Sequence, residues 1–148
     1  MATVGTIRIY RPDPASADEL QRCGRATFAV RCPSATRVAV AVVGEIDAVN
    51  GRELGRFVER QTGISKQLVL DLRAVDFVGT HAFTALHYIS AHCDRSDVDW
   101  MIIGSHPVRR LLSICDPEGE LPLVDELAAA LARLDRLAQC RQHIAPTA

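Results

Sequence analysis

The feature that most constrains this chain is a change of hydrophobic period that repeats from residue 26 onward. Short runs rich in β-branched and other apolar residues alternate with stretches whose apolar residues recur every three to four positions. Ala26–Arg31 and Val38–Val43 read as strands joined by the turn Cys32-Pro33-Ser34-Ala35, with Gly44 closing the second. Both faces of Val38–Val43 are Val or Ala, which predicts a strand covered on both sides. Asn50 and Glu53 then have the spacing of a helix-capping pair. Leu54, Phe57 and Val58 give that helix an apolar face, and Gly63 ends it. Gln67–Leu72 is a third strand. Thr80–Cys93 is helical, with Ala82, Leu86, Ile89 and Cys93 on one stripe. Asp99–Ile103 is a strand ending at Gly104. Ser105 caps a further helix with Pro107 in its first turn and Val108, Leu111, Leu112 and Cys115 facing inward. A short strand near Leu121–Val124 precedes a last amphipathic helix lined by Val124, Leu127, Leu131 and Leu134. This order predicts an α/β fold: a mixed sheet of four to five strands with about four helices, begun by a hairpin and continued by parallel β-α-β crossovers.

The ends are less regular. Residues 1–25 read as an arm or an extra edge element: Thr6–Tyr10 has strand character, Pro12 and Pro14 break it, and Ser16–Arg22 suggests a helical turn. One folded unit then spans 26–137, and 138–148 reads as a frayed tail from Cys140 onward. A chain of 148 residues suits one such domain.

Charge and composition exclude several classes of function. Seventeen basic against eighteen acidic residues give a formal charge of −1, which argues against a nucleic-acid binder. No window approaches a membrane span or a secretory leader, so no membrane association and a cytoplasmic setting are expected. Cys23, Cys32, Cys93, Cys115 and Cys140 form no Cys-x-x-Cys pair and read as free thiols; Cys93 and Cys115 lie on apolar helix stripes as core fillers. Cys23 and Cys32 flank the first strand beside Arg22, Arg25 and Arg31, which makes them the candidates for redox control. His81, His87 and His92 are spaced by six and five residues, not the four that puts two ligands on one helix face, so they read as exposed or half-exposed structural residues; no metal and no cofactor are expected. No nucleophile elbow or phosphate loop is present, and no catalytic residue is assigned.

Two stretches, Val40–Leu54 (VAVVGEIDAVNGREL) and Leu68–Leu86 (LVLDLRAVDFVGTHAFTAL), resemble the signatures of the STAS domain. That domain is shared by sulfate transporters and bacterial anti-sigma factor antagonists. The family text Gly-Glu-Leu-Asp corresponds to Gly44-Glu45-Ile46-Asp47, and the run Phe-Met-Asp-Ser-Ser-Gly-Leu to Phe77–Phe83. Gly104–Leu112 resembles the family's next helix, so the likeness covers about residues 26–137. It implies an anti-sigma factor antagonist: a non-enzymatic protein that binds an anti-sigma factor, expected to be of the serine-kinase type, and frees a sigma factor. The partner surface implied is Glu45, Asp47, Asn50, Gly79, Thr80, His81 and Phe83. A homodimer is left open.

The sequence departs from the family at the switch. The two serines that open the helix correspond to Thr80 and His81, so the usual phosphoacceptor is an imidazole. Thr80 is the hydroxyl left at the helix start and the phosphorylation candidate, with a helix N-cap as its plain structural role. The alternatives are a STAS module that binds constitutively or under thiol control and, from another class, a small histidine-dependent metal enzyme.

Overall fold

The computed structural model describes residues 17–144. The strand reading at Thr6–Tyr10 lies outside them. Six strands and four helices follow in the order β1 (Glu19–Cys23), β2 (Ala26–Arg31), β3 (Arg37–Ile46), α1 (Gly51–Gln61), β4 (Gln67–Val78), α2 (Thr80–Ser96), β5 (Asp99–Gly104), α3 (His106–Cys115), β6 (Leu123–Val124) and α4 (Leu127–Ile144).

All six strands form one sheet in chain order. β1, β2 and β3 pair antiparallel; β3 to β6 pair parallel. The sheet is therefore larger than the expected four to five strands. The excess is β1, where Ser16–Arg22 was expected to turn as a helix. Leu20 and Cys23 instead lie opposite Ala29 and Ala26, because a strand already folded next door supplies hydrogen-bond partners that a lone helical turn lacks.

Sequential strand order decides where the helices go. Crossovers that each advance one strand in the same direction place their helices on one face. α1, α2 and α3 accordingly share one core: Leu54, Phe57 and Val58 from α1, Leu86 and Ile89 from α2, and Val108 and Leu112 from α3 pack on Val38, Val40, Val42, Leu68, Leu70 and Leu72. Among the described residues only α4 returns across the other face, where Ala130 and Leu134 cover Val69, Met101 and Ile103. β3 shows the consequence. Val38, Val40 and Val42 are fully buried beneath the three helices, whereas Ala39, Ala41 and Val43 are half-buried. The expectation of a strand covered on both sides thus holds fully on one face and only in part on the other, because one helix cannot span six strands.

Four further readings also shift. β4 runs on past Leu72 to Val78, extending beyond its pairing with β5, which ends at Leu72 opposite Gly104. α3 lacks a side-chain cap from Ser105. Along α4 the buried residues are Ala130 and Leu134; Leu127 is exposed, and Val124 belongs to β6. α4 also continues through Cys140 as regular helix. Its end is held by Arg141, which donates to both Asp97 and Asp99 at 2.8 Å.

Gly44 carries the sharpest backbone requirement. Its φ is +111°, and a Cβ there would stand 2.1 Å from the Arg25 carbonyl oxygen. That carbonyl accepts the Glu45 amide at 3.0 Å, and the β3–β4 register shifts at this point, so the glycine marks a bulge that re-aims the strand end. Gly44→Ala is expected to destabilise by at least about 2 kcal/mol, read from the urea midpoint at unchanged slope. A second expectation concerns Arg141. It holds the exposed Asp97 carboxyl below its usual value through a direct hydrogen bond and charge attraction. A depressed folded-state value contributes stability above the ordinary carboxylate range, lost as pH falls through the folded value. The urea midpoint of Arg141→Met should lie below wild type at neutral pH and meet it at strongly acidic pH.

Candidate functional site

In a parallel sheet the strands end on one edge, and the loops that follow them cluster there. β3 and β4 stay paired to their last residues, Ile46 opposite Val78, despite two register shifts on the way. The β3–α1 loop (47–50) and the start of α2 are therefore neighbours. The Gly79 amide donates to the Ile46 carbonyl at 2.9 Å, tying one loop to the other. Gly51 at the start of α1 abuts His81: a Cβ there would lie 3.2 Å from the His81 carbonyl oxygen.

The loop is held from inside by Asn50. Its side chain is fully buried. The amide nitrogen donates to the carbonyls of Glu45 at 2.8 Å and Cys23 at 3.2 Å, and the amide oxygen accepts the Asp47 backbone N–H at 3.0 Å. Asp47 in turn accepts the Val49 amide at 2.9 Å, a local turn of the kind Asp favours. The capping pair expected between Asn50 and Glu53 does not form. Asn50 also offers a partner no surface, contrary to the expected contact role, because its hydrogen-bonding groups are consumed by the backbone of β1, of β3 and of its own loop. Its position links the β1–β2 turn, the end of β3 and α1.

The other expected residues divide. Gly79 is the extended N-cap of α2, which has no side-chain cap. Thr80 and His81 are both exposed at its first turn. Glu45 and Asp47 are half-buried, with Glu45 3.7 Å from Arg25. Phe83 faces the core and meets His87 edge-on at 4.4 Å between centroids. Two apolar residues at this edge were not singled out from the sequence: Val49 is 69% exposed and Phe77 53%. Neither could be told from a core residue by type; only the loop and strand end that carry them turn them outward. A groove of about 700 Å³ continues from the loop between α1 and α2, past His81 to Tyr88. At its far end the Tyr88 ring lies against Gly55, and its Cδ1 would stand 2.7 Å from a Cβ there. The Tyr88 hydroxyl donates to Glu59, which raises its pKa.

The remaining chemistry lies apart. Cys23 and Cys32 sit at opposite ends of the β1–β2 hairpin, since Cys23 faces Ala26 and Cys32 follows Arg31. Six residue steps along β2 separate their levels by about 20 Å, beyond direct disulfide reach. Burial, then the carboxylates of Glu53 and Asp47, push the Cys23 thiol up, a setting that disfavours thiolate despite the nearby arginines. Burial pushes Cys93 to about 12. His92, expected at or near the surface, is buried against the Thr62 hydroxyl at 2.6 Å. Among the described residues no group of three or more His, Cys, Asp and Glu side chains is placed to hold a metal ion, and no helix is long and apolar enough to cross a membrane.

The family profile of the STAS domain matches residues 27–130. This chain belongs to the STAS domain family. Among solved structures, an anti-sigma factor antagonist from Mycobacterium paratuberculosis matches this STAS domain with a TM-score of 0.63 at 25% identity, over 73% of this chain and 92% of that one. The anti-sigma factor antagonist SpoIIAA in its unphosphorylated form matches with a TM-score of 0.61 at 10% identity, over 76% and 96% of the two chains. SLC26A9 matches with a TM-score of 0.60 at 16% identity over 74% of this chain but 21% of its own length. The last two show the fold alone. No curated protein sequence matches the chain.

Asn50→Ala is expected to cost about 2–3 kcal/mol by leaving the Glu45 and Cys23 carbonyls without their donor. Amide exchange of Asp47, which loses its acceptor, should accelerate more than that of residues in α4.

Proposed function

We propose that this STAS domain is an anti-sigma factor antagonist, a regulatory binding protein that takes an anti-sigma factor of the serine-kinase type away from its sigma factor. The observation that carries the reading is the edge just described: an uncapped, solvent-facing start of α2, with Thr80 and His81 exposed, beside the outward-facing Val49 and Phe77. Exposed apolar residues rimmed by polar ones are what a docking patch needs. The fold likeness to two anti-sigma factor antagonists supports the same role.

The switch is assigned to Thr80. A phosphate on its hydroxyl adds about −1.5 to −2 charges at the helix start. The positive end of α2 tolerates that charge in the free domain. A partner seated over Val49 and Phe77 must bury it, and Asp47 beside Gly79 adds like charge. Phosphorylation therefore releases the partner without unfolding the domain. His81 at the position of the usual acceptor favours one second reading, an antagonist that binds without phosphorylation control.

The test is titration of the purified domain with the serine-kinase-type anti-sigma factors encoded in the same genome, together with intact-mass measurement after incubation with kinase and ATP. Thr80→Glu should weaken binding at least tenfold, Thr80→Ala should stay within about twofold, and the mass of one phosphate should appear on wild type alone. Equal binding by both variants transfers the protein to the constitutive reading. Absence of binding to any anti-sigma factor removes the antagonist role.

A further inference from the structure

The groove between α1 and α2 has a chemistry of its own. The helices start close together because Gly51 has no side chain: a Cβ there would lie 3.2 Å from the His81 carbonyl oxygen. Gly51, Gly55 and Ala85, all buried, give the groove a shallow apolar floor. Exposed longer side chains form its walls, Arg52 and Arg56 from α1 and His81, Thr84 and Tyr88 from α2. From His81 to Tyr88 the α2 wall runs for about 10 Å, two helical turns.

The lining carries more positive than negative charge. Arg52 and Arg56 stand one turn apart on the exposed side of α1. Among the described residues Arg52 has no hydrogen bond or ion pair, and none of its interactions goes beyond them. Arg56 lies 3.4 Å from Glu53, an exposed pair of the kind that contributes little and exchanges partners readily. Glu53 is the one carboxylate among the described lining residues. Glu59, further along α1, is off the lining and accepts the Tyr88 hydroxyl. One guanidinium charge is therefore unanswered in a concave place, on a chain whose formal charge is −1. Val49 and His81 line the groove and also belong to the edge beside Thr80. A partner seated on that edge reaches the groove without a gap.

We propose that the anti-sigma factor lays an acidic segment in this groove, its carboxylates against Arg52 and Arg56 and an apolar side chain against the Tyr88 ring. The inference rests on the antagonist reading and names the chemistry by which that partner is held. Planar guanidinium groups bind carboxylates through paired hydrogen bonds, and the Tyr88 ring, 43% exposed, offers a rigid apolar surface beside them. A basic segment would meet Arg52 with only Glu53 to answer it, already shared with Arg56. A purely apolar segment would strip water from Arg52 and put nothing in its place.

The experiment measures association and dissociation rates of the full chain with the anti-sigma factors of the titration above, at about 0.05 M and about 0.5 M salt, where charge attraction is long-ranged and then screened. Arg52→Glu should slow association at least about tenfold at low salt, and the gap should close to about twofold at high salt. Thr84→Trp, an exposed change that obstructs the groove, should weaken binding at least about tenfold with an unchanged thermal melt. Arg133→Glu, the same charge change on the exposed side of α4, should stay within about twofold of wild type. Undiminished association by Arg52→Glu at low salt, or undiminished binding by folded Thr84→Trp, overturns the proposal. If both bind like wild type while Thr80→Glu is weakened, the groove is excluded and the antagonist reading stands. No binding by wild type overturns both.

Discussion

The structure depends on one pairing: β3 beside β4, parallel, and paired to the final residue of each strand. Because Ile46 ends opposite Val78, the chain must leave both strands at the same level of the same edge. The two following segments then compete for one small region of space. That competition is resolved by hydrogen bonds internal to the loops: Gly79 donates to Ile46, and the buried Asn50 amide fastens Glu45, Asp47 and Cys23. With the backbone demands met from inside, the outward side of the loops is released for other use. Val49, Phe77, Thr80 and His81 can be exposed together because none of them is needed to hold the edge in place.

The same sheet carries a second asymmetry, perpendicular to its edge. Strand order follows chain order, so every crossover helix falls on one side. The large apolar residues follow: Phe28, Val40, Leu70 and Ile102 face the three-helix side. Among the described residues the opposite face has a single helix, secured by ionic contacts at its middle, Asp135 with Arg37, and near its C-terminal end, Arg141 with Asp97 and Asp99. Its residues are large beneath the helix and small beyond it.

Much of the fold was legible because local period is a local property. Val38–Val43, Gln67–Leu72 and Asp99–Ile103 each announce a strand, and Leu54, Phe57 and Val58 or Leu86 and Ile89 announce a helix face, through the side chains of neighbouring residues alone. The errors fall where the deciding partner is distant. Glu19–Cys23 has no strong period of its own and becomes a strand by pairing with β2. Residues 73–78 follow the apolar run that ends at Leu72 and are interrupted by Arg73 and Asp76, yet β3 extends beside them and keeps them in the ladder. Asn50 has the spacing of a cap, but the carbonyls of Glu45 and Cys23 draw its side chain inward. His92 looks like a surface residue until Thr62, thirty positions earlier, supplies its partner.

The amino-acid sequence by itself determined the alternation of strand and helix, the STAS-type text at 44–47 and 77–83, and the replacement of two serines by Thr80 and His81, since all of these are read along the chain. Only the tertiary structure decided which face of each strand is covered, that Asn50 is scaffold while Val49 and Phe77 are surface, and that Arg52 and Arg56 of α1 share a groove with His81 and Tyr88 of α2. The reason is physical: side-chain period is fixed by bond geometry within a few residues, whereas exposure is set by whichever distant segment packs on top.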